Sequence, residues 1–281
     1  MSRHPLLEID HLFVRGQSSA GEAEILRDVS LTVYPGQIVG LVGESGSGKS
    51  TLTATVLDNL GRNREVVKGT IRFRDRLVYG SGTDERASLR GKEVGCVFQA
   101  AAASLNPLRR VGSQLGELLE LYHGTRGRDA TKRMLELLAS LGLHEPEAIL
   151  RHYPHQLSGG MAQRVAIAMG LAGLPSLLIA DECTSALDVT TQQTVVTLLK
   201  RLSVENGRAM LFVTHDIALA ADICDNVVVL RDGAIVDAGP LEQLVRNPSS
   251  RYTRNLIDAV PILGRAKSEG AAVLHHLDSA S

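Results

Sequence analysis

Gly43-Glu44-Ser45-Gly46-Ser47-Gly48-Lys49-Ser50 matches the pattern G-x-x-x-x-G-K-[ST] without deviation. Glycines at this spacing let backbone N–H groups curl around phosphate oxygens, and a helix starting near Lys49 aims its positive end at the same charge. Lys49 would reach the β- and γ-phosphates, and the Ser50 hydroxyl would ligate Mg²⁺. Thr51 follows at once and is grouped with the loop as a nucleotide-binding residue. A second chemical cluster lies far downstream, where the apolar run Leu177-Leu178-Ile179-Ala180 ends in Asp181-Glu182. Beside a phosphate loop, Asp181 could hold Mg²⁺ through water and Glu182 could polarise an attacking water.

These residues need elements to hold them. Gln37 to Val42 is a continuous apolar run of strand length, as suits a central strand covered on both faces, and it delivers the chain into the glycine loop. Ser50 to Leu60 is helix-compatible. Upstream, Leu6 to Tyr34 reads as two strands, with a loop at Gly16–Gly21 and a clean alternation at Val29, Leu31 and Val33. Val66 to Tyr79 and Glu93 to Phe98 read as further strands. From Val111 to Gly173 the period becomes helical, with Leu115, Leu118, Leu119 and Tyr122 on one stripe and Met134, Leu135, Leu138 and Leu141 on another. Strand-like runs return at Ser176–Ala180, Ala209–Thr214 and Asn226–Leu230, with a helix over Thr191–Val204. The alternation predicts an α/β core interrupted by a helical block, and Gly264–Ser281 reads as a loose tail.

Composition narrows the duties of such a chain. With 281 residues and 44% hydrophobic content it can bury a substantial core. Lys and Arg total 30 against 31 Asp and Glu, so no basic excess is present to blanket a nucleic acid. Four Phe, five Tyr and no Trp disfavour a base-stacking or sugar-binding surface. The N-terminus reaches Glu8 and Asp10 without the apolar core of a signal peptide, and no apolar run approaches the ~20 residues of a membrane span. Cys96, Cys183 and Cys224 are widely spaced, which predicts free thiols in a reducing compartment.

Between the two chemical clusters stands Leu157-Ser158-Gly159-Gly160-Met161, followed by Ala162-Gln163-Arg164. Gln99 precedes the helical block, Ser185-Ala186-Leu187-Asp188 follows the acidic pair, and His215 lies in Val213-Thr214-His215-Asp216. In this order the motifs resemble the ATP-binding cassette subunits of ABC transporters, from about Leu6 to Pro261. The resemblance implies a P-loop NTPase core with a helical subdomain and an antiparallel β subdomain. It divides the chain into a core part with the β subdomain at 1–98, a helical subdomain at 99–173, the rest of the core at 174–245 and an extension at 246–281.

It also implies ATP and Mg²⁺ as ligands and a head-to-tail pair of cassettes, in which Ser158, Gly159 and Gly160 close on the γ-phosphate held by the partner's loop. Glu182 is then the general base, His215 contacts the γ-phosphate and the water, Gln99 senses Mg²⁺ and relays to a membrane subunit, and Asp188 links the two sites. The implied partners are two transmembrane permease subunits, a second cassette that is an identical or related chain and, indirectly, an extracytoplasmic solute-binding protein. No nucleic acid is among them, and the implied location is the cytoplasmic face of the inner membrane. Val42 to Gly48, Ser104-Leu105-Asn106-Pro107, Ala186 to Val189, Asn247-Pro248 and Tyr252-Thr253-Arg254 most resemble the importers of peptides and of nickel or related metal chelates. A soluble cassette ATPase and a regulatory, non-hydrolysing cassette are the alternatives.

Three departures stand out. Ala100–Ala103 follows Gln99 where relatives usually carry Asp-Pro and a larger residue in a loop that touches the membrane subunit, and Cys183 stands where relatives carry Pro, either as a thiol-sensitive group at the site or, the favoured expectation, as a small packing residue. At about Gly16 relatives place an aromatic against adenine; Phe13 is an odd number of residues away, on the opposite strand face, so either Arg15 covers the base with its guanidinium plane or the base is loosely held and ATP selectivity is modest.

Overall fold

The computed structural model describes residues 4–18, 21–80, 83–84, 89–99, 101–185 and 187–260, so Gly264–Ser281 lies outside the described residues. The chain forms two compact units, one from Met1–Ala87 with Ala209–Ser281, the other Ser88–Arg208.

The first unit carries an antiparallel sheet and a mainly parallel set of strands. Strands β1 (Leu7–Ser18), β2 (Gly21–Val33), β4 (Arg64–Phe73), β5 (Arg76–Gly80) and β6 (Thr83–Asp84) pair in the order β2-β1-β4-β5-β6. In β2, Val29, Leu31 and Val33 are buried while Ser30 is exposed, the alternation of a sheet with one covered face. Of the expected loop at Gly16–Gly21, Ser19 and Ala20 lie outside the described residues and the rest is strand: Gly16 pairs Ala23, Gln17 pairs Glu22 and Ser18 pairs Gly21. β1 is hydrogen-bonded on both edges, with Gly16 also opposite Arg64 and Gln17 N–H on Asn63 O at 2.8 Å, so ladder bonds override a loop-like composition.

The other strands of this unit are β3 (Ile38–Val42), β9 (Ala209–Thr214), β10 (Asn226–Arg231) and β11 (Ala234–Pro240). β3 lies parallel between β9 and β10, and every residue of β3 and β9 is buried. That is why their sequences are unbroken apolar runs. Helix α1 (Lys49–Val56) follows the glycine loop and stops short of the expected Leu60, because Leu57 caps it and Asp58 takes a left-handed φ of 50°. Three short helices, α8 (Ile217–Ile223), α9 (Leu241–Arg246) and α10 (Arg251–Asp258), have no counterpart in the sequence reading. Ile217, Ala220, Leu241, Leu244, Val245, Tyr252 and Ile257 pack with Val42, Val227 and Val229, so the C-terminal segment seals one side of the strand that feeds the loop.

The second unit pairs β7 (Val94–Val97) with β8 (Leu177–Asp181) in parallel. Its helices are α2 (Ala101–Ser104), α3 (Val111–His123), α4 (Gly127–Ser140), α5 (Pro146–Arg151), α6 (Gly159–Leu171) and α7 (Val189–Asn206). The stripes bury as their period demands, through Leu115 and Leu119 on α3 and Met134 and Leu138 on α4. The alanine run after Gln99 is not a loop: Ala101–Ser104 is one helical turn, in line with alanine's helix propensity. Among the described residues no helix is long and apolar enough to cross a membrane.

Candidate nucleotide site

The phosphate loop belongs to the first unit. An added Cβ at Gly43 would stand 2.2 Å from Leu230 O, and one at Gly48, at φ 108°, would stand 2.7 Å from Leu26 Cδ2. Only glycine fits where strand β10 and strand β2 press this closely on the loop. Ser47 O accepts Gly233 N–H at 2.9 Å, tying the loop to the turn after β10. Lys49 is buried, and its Nζ donates to Gly43 O at 2.7 Å and Glu44 O at 2.9 Å, so the ammonium is folded over the loop's mouth. Ser47 Oγ is buried, with no hydrogen-bond partner among the described residues. A buried hydroxyl without a partner costs roughly 1–3 kcal/mol. A phosphate oxygen in the loop supplies the missing partner, so this orphan fits an anionic ligand.

His215 joins the loop by register. Val42 pairs Thr214, which brings Gly43 and His215 off the ends of adjacent parallel strands. His215 is exposed there, and the next residue, Asp216, caps α8 by accepting Ala218 N–H at 2.8 Å.

Sequence reasoning missed Tyr252. Its hydroxyl accepts the Glu44 backbone N–H at 2.9 Å, and Arg231 lies over its ring at 4.9 Å. Tyr252→Phe leaves the Glu44 N–H without its acceptor, a loss of about 1 kcal/mol. The expected result is a roughly fivefold weaker ATP dissociation constant by calorimetry. An unchanged constant shows that Tyr252 only packs.

Gln99, Asp181 and Glu182 belong to the second unit. Val97 pairs Ala180, so Gln99 and Glu182 leave adjacent strand ends. Gln99 Nε2 donates to Ser185 Oγ at 3.2 Å, and Ser185 Oγ donates to Glu182 O at 3.0 Å. This relay fixes the turn that presents Glu182, whose φ of 44° is unusual for a residue with a side chain. Asp181 and Gln99 of this unit carry carboxylate and amide oxygens, and Ser50 of the first unit carries a hydroxyl, each a hard donor of the kind Mg²⁺ takes. Among the described residues no three His, Cys, Asp or Glu side chains gather into a metal-binding group.

Ser158 caps α6, its Oγ accepting Met161 N–H at 3.3 Å, and Gly159 and Gly160 form the first turn. The cap uses an oxygen lone pair and leaves the serine O–H to donate outward. Asp188 caps α7, accepting Thr191 N–H at 3.0 Å and Thr191 Oγ1–H at 2.7 Å, and these bonds hold its carboxyl below the ordinary value. Ala186, within the same motif, lies outside the described residues.

Burial raises the Cys183 thiol to about 12 and raises Cys96 as well. Both are therefore protonated and inert at neutral pH. At pH 8 iodoacetamide is expected to modify these two at least ~100-fold more slowly in the native chain than after denaturation, read by mass spectrometry. Rapid native labelling of Cys183 contradicts its packing role.

Arg15 and Phe13 each have a charged neighbour. Arg15 Nη1 meets Glu22 Oε2 at 3.3 Å along the β1–β2 hairpin, and Lys68 Nζ lies 5.6 Å from the Phe13 ring centroid.

Residues 26–185 match the ABC transporter family. A Brucella ovis protein named as a peptide import ATP-binding protein is 42% identical over 272 residues, spanning 95% of this chain and 80% of that relative. The dipeptide transport ATP-binding protein DppD of Lactococcus lactis is 38% identical, spanning 93% and 75%. The dimeric ATP-binding cassette MJ0796, solved in a post-hydrolysis state with ADP and Pi, superposes with a TM-score of 0.72 at 31% identity, over 84% of this chain and 98% of that one. The cbiO1 cassette from Clostridium perfringens, part of the transporter complex cbiONQ, gives 0.71 at 26% identity, over 89% and 97%. An intact phosphate loop set between a buried parallel strand and a helix, with these relatives over nearly the whole chain, leads to one conclusion: this chain belongs to the ATP-binding cassettes of the ABC transporter family.

Proposed function

We propose that the chain is the ATP-hydrolysing subunit of a peptide importer, bound to the inner face of a membrane through permease subunits and working as one of two cassettes. The observation that carries this reading is the complete phosphate loop, with buried Lys49 and the orphan Ser47 hydroxyl, in a chain 42% identical over 95% of its length to a relative named for peptide import.

In this reading the loop residues Gly43 to Thr51 hold the phosphates, with Lys49 drawn from its carbonyls onto the β- and γ-phosphates. The first turn of α6, at Ser158, Gly159 and Gly160, completes the γ-phosphate site of a partner cassette, so ATP joins the pair. Glu182 takes a proton from the attacking water, and His215, off the strand beside the loop, orients that water and the γ-phosphate. Ser50, Asp181 and Gln99 would hold Mg²⁺, which would offset phosphate charge. Gln99 is tied to the Glu182 turn through Ser185, so a shift of the segment after Gln99, where a membrane subunit docks, reaches the general base. Asp188 anchors the turn between the acidic pair and α7 at the cassette pairing surface. Closure on ATP and release after hydrolysis then drive alternating access in the permease.

Coexpression with the permease subunits and purification in detergent tests the reading. The chain should copurify with them, and its ATP hydrolysis should rise when a peptide-loaded binding protein is added. Stimulation by a nickel chelate and not by peptide would move the chain to the metal-chelate importers.

A further inference from the structure

A cation outside the phosphate motif reaches helix α1. Arg64, the first residue of β4, donates from Nη1 to Thr51 Oγ1 at 3.2 Å. Thr51 lies two residues beyond Lys49, about 200° further round the helix, and Lys49 Nζ folds back onto Gly43 O and Glu44 O, so Arg64 meets α1 away from the Lys49 ammonium. Lys49 marks the side where the terminal phosphates sit. A nucleotide laid across this helix start has its α-phosphate and nucleoside on the Thr51 side, where Arg64 stands.

The surface beside Arg64 suits a base. Gly16 is directly opposite Arg64 across the β1–β4 ladder, so both face the same side of the sheet. An added Cβ at Gly16 would meet Ile25 Cδ1 at 2.4 Å and Arg64 Cγ at 3.6 Å. Bare Gly16 is therefore roofed by an aliphatic group and by the stem of an arginine. Arg15, adjacent on the strand, faces the other way and meets Glu22. Arg64 is exposed, and a planar guanidinium held at one edge by a threonine hydroxyl can present a face to a flat ring.

We propose that Arg64, supported by Ile25 over Gly16, covers the nucleoside end of bound ATP and takes the place expected for Arg15. The inference rests on the nucleotide-binding reading and adds a contact outside the phosphate motif.

Calorimetric titration of the full chain with ATP, ADP and inorganic tripolyphosphate tests it. Arg64→Ala should weaken ATP and ADP roughly tenfold, the value of a lost cation–ring contact, and leave tripolyphosphate within twofold. Arg64→Lys keeps the charge but not the plane, and should lose most of the same affinity. Tripolyphosphate binding by each variant doubles as evidence that it is folded. ATP affinity within twofold of wild type in Arg64→Ala overturns the proposal, as does a wild-type value in Arg64→Lys. Equal losses for ATP and tripolyphosphate also overturn it, since Arg64 would then serve only the phosphates. A wild-type chain that binds no ATP refutes the nucleotide reading itself, a distinct result.

Discussion

Glu182→Gln should slow ATP turnover by roughly 10²–10⁴-fold while leaving the ATP dissociation constant unchanged. The substitution keeps shape and hydrogen-bonding reach and removes only the capacity to accept a proton from water. Glu182 follows Asp181 at the end of β8, and its backbone is held at φ 44° by a turn whose carbonyl accepts from Ser185. Holding a residue in that region costs of order 1–3 kcal/mol, a strain met at sites where a side chain must be aimed. Glutamine occupies the same backbone state, so a fall in turnover reports lost base chemistry and not a lost fold. Single-turnover hydrolysis by the variant at saturating ATP is the measurement. Turnover within about threefold of wild type would remove Glu182 from the role, and Asp181 would be the next carboxylate to test.

Lys49→Ala should abolish measurable ATP and ADP binding, a weakening of at least ~100-fold. Lys49 Nζ bonds two carbonyls, Gly43 O and Glu44 O, in a buried setting. The side chain is therefore held at the loop, a short shift from the phosphates, and loses little freedom on binding. Each charge-assisted hydrogen bond to phosphate contributes about 1.5–3 kcal/mol, and two of them account for the expected loss. The substitution also strips two loop carbonyls of a donor, so the thermal midpoint should fall modestly. Equilibrium titration of ATP checks binding, and thermal unfolding checks that the chain remains folded. A folded Lys49→Ala chain with near-normal affinity would contradict the loop's assignment.

What could be read without coordinates follows from the range of the interactions. The apolar runs of β3 and β9 announce buried parallel strands because each residue is covered on both faces, and the glycine loop between β3 and α1 carries its chemistry in a contiguous stretch. Tyr252 is different: it meets Glu44 across 208 positions of sequence, and its helix α10 is short and polar enough to look like linker. Arg64 and Ile25 are ordinary strand residues until the ladder sets Gly16 opposite Arg64 and lays Ile25 over it. The hairpin at Gly16–Ser18 was hidden for the same reason, since glycine and glutamine become strand here by bonding on both edges and serine by pairing with Gly21. Motif residues were legible because their chemistry demands their type. Supporting residues depend on contacts that no local pattern encodes.

Peptide uptake into vesicles tests the central claim most directly. The chain is reconstituted with its permease subunits and partner cassette, ATP is supplied on the cassette side, and labelled peptide with its binding protein on the other. The account predicts ATP-dependent accumulation of peptide, lost with a non-hydrolysable ATP analogue and lost again when the chain carries Glu182→Gln. Accumulation that continues undiminished with Glu182→Gln, or ATP hydrolysis that never moves peptide, would contradict it.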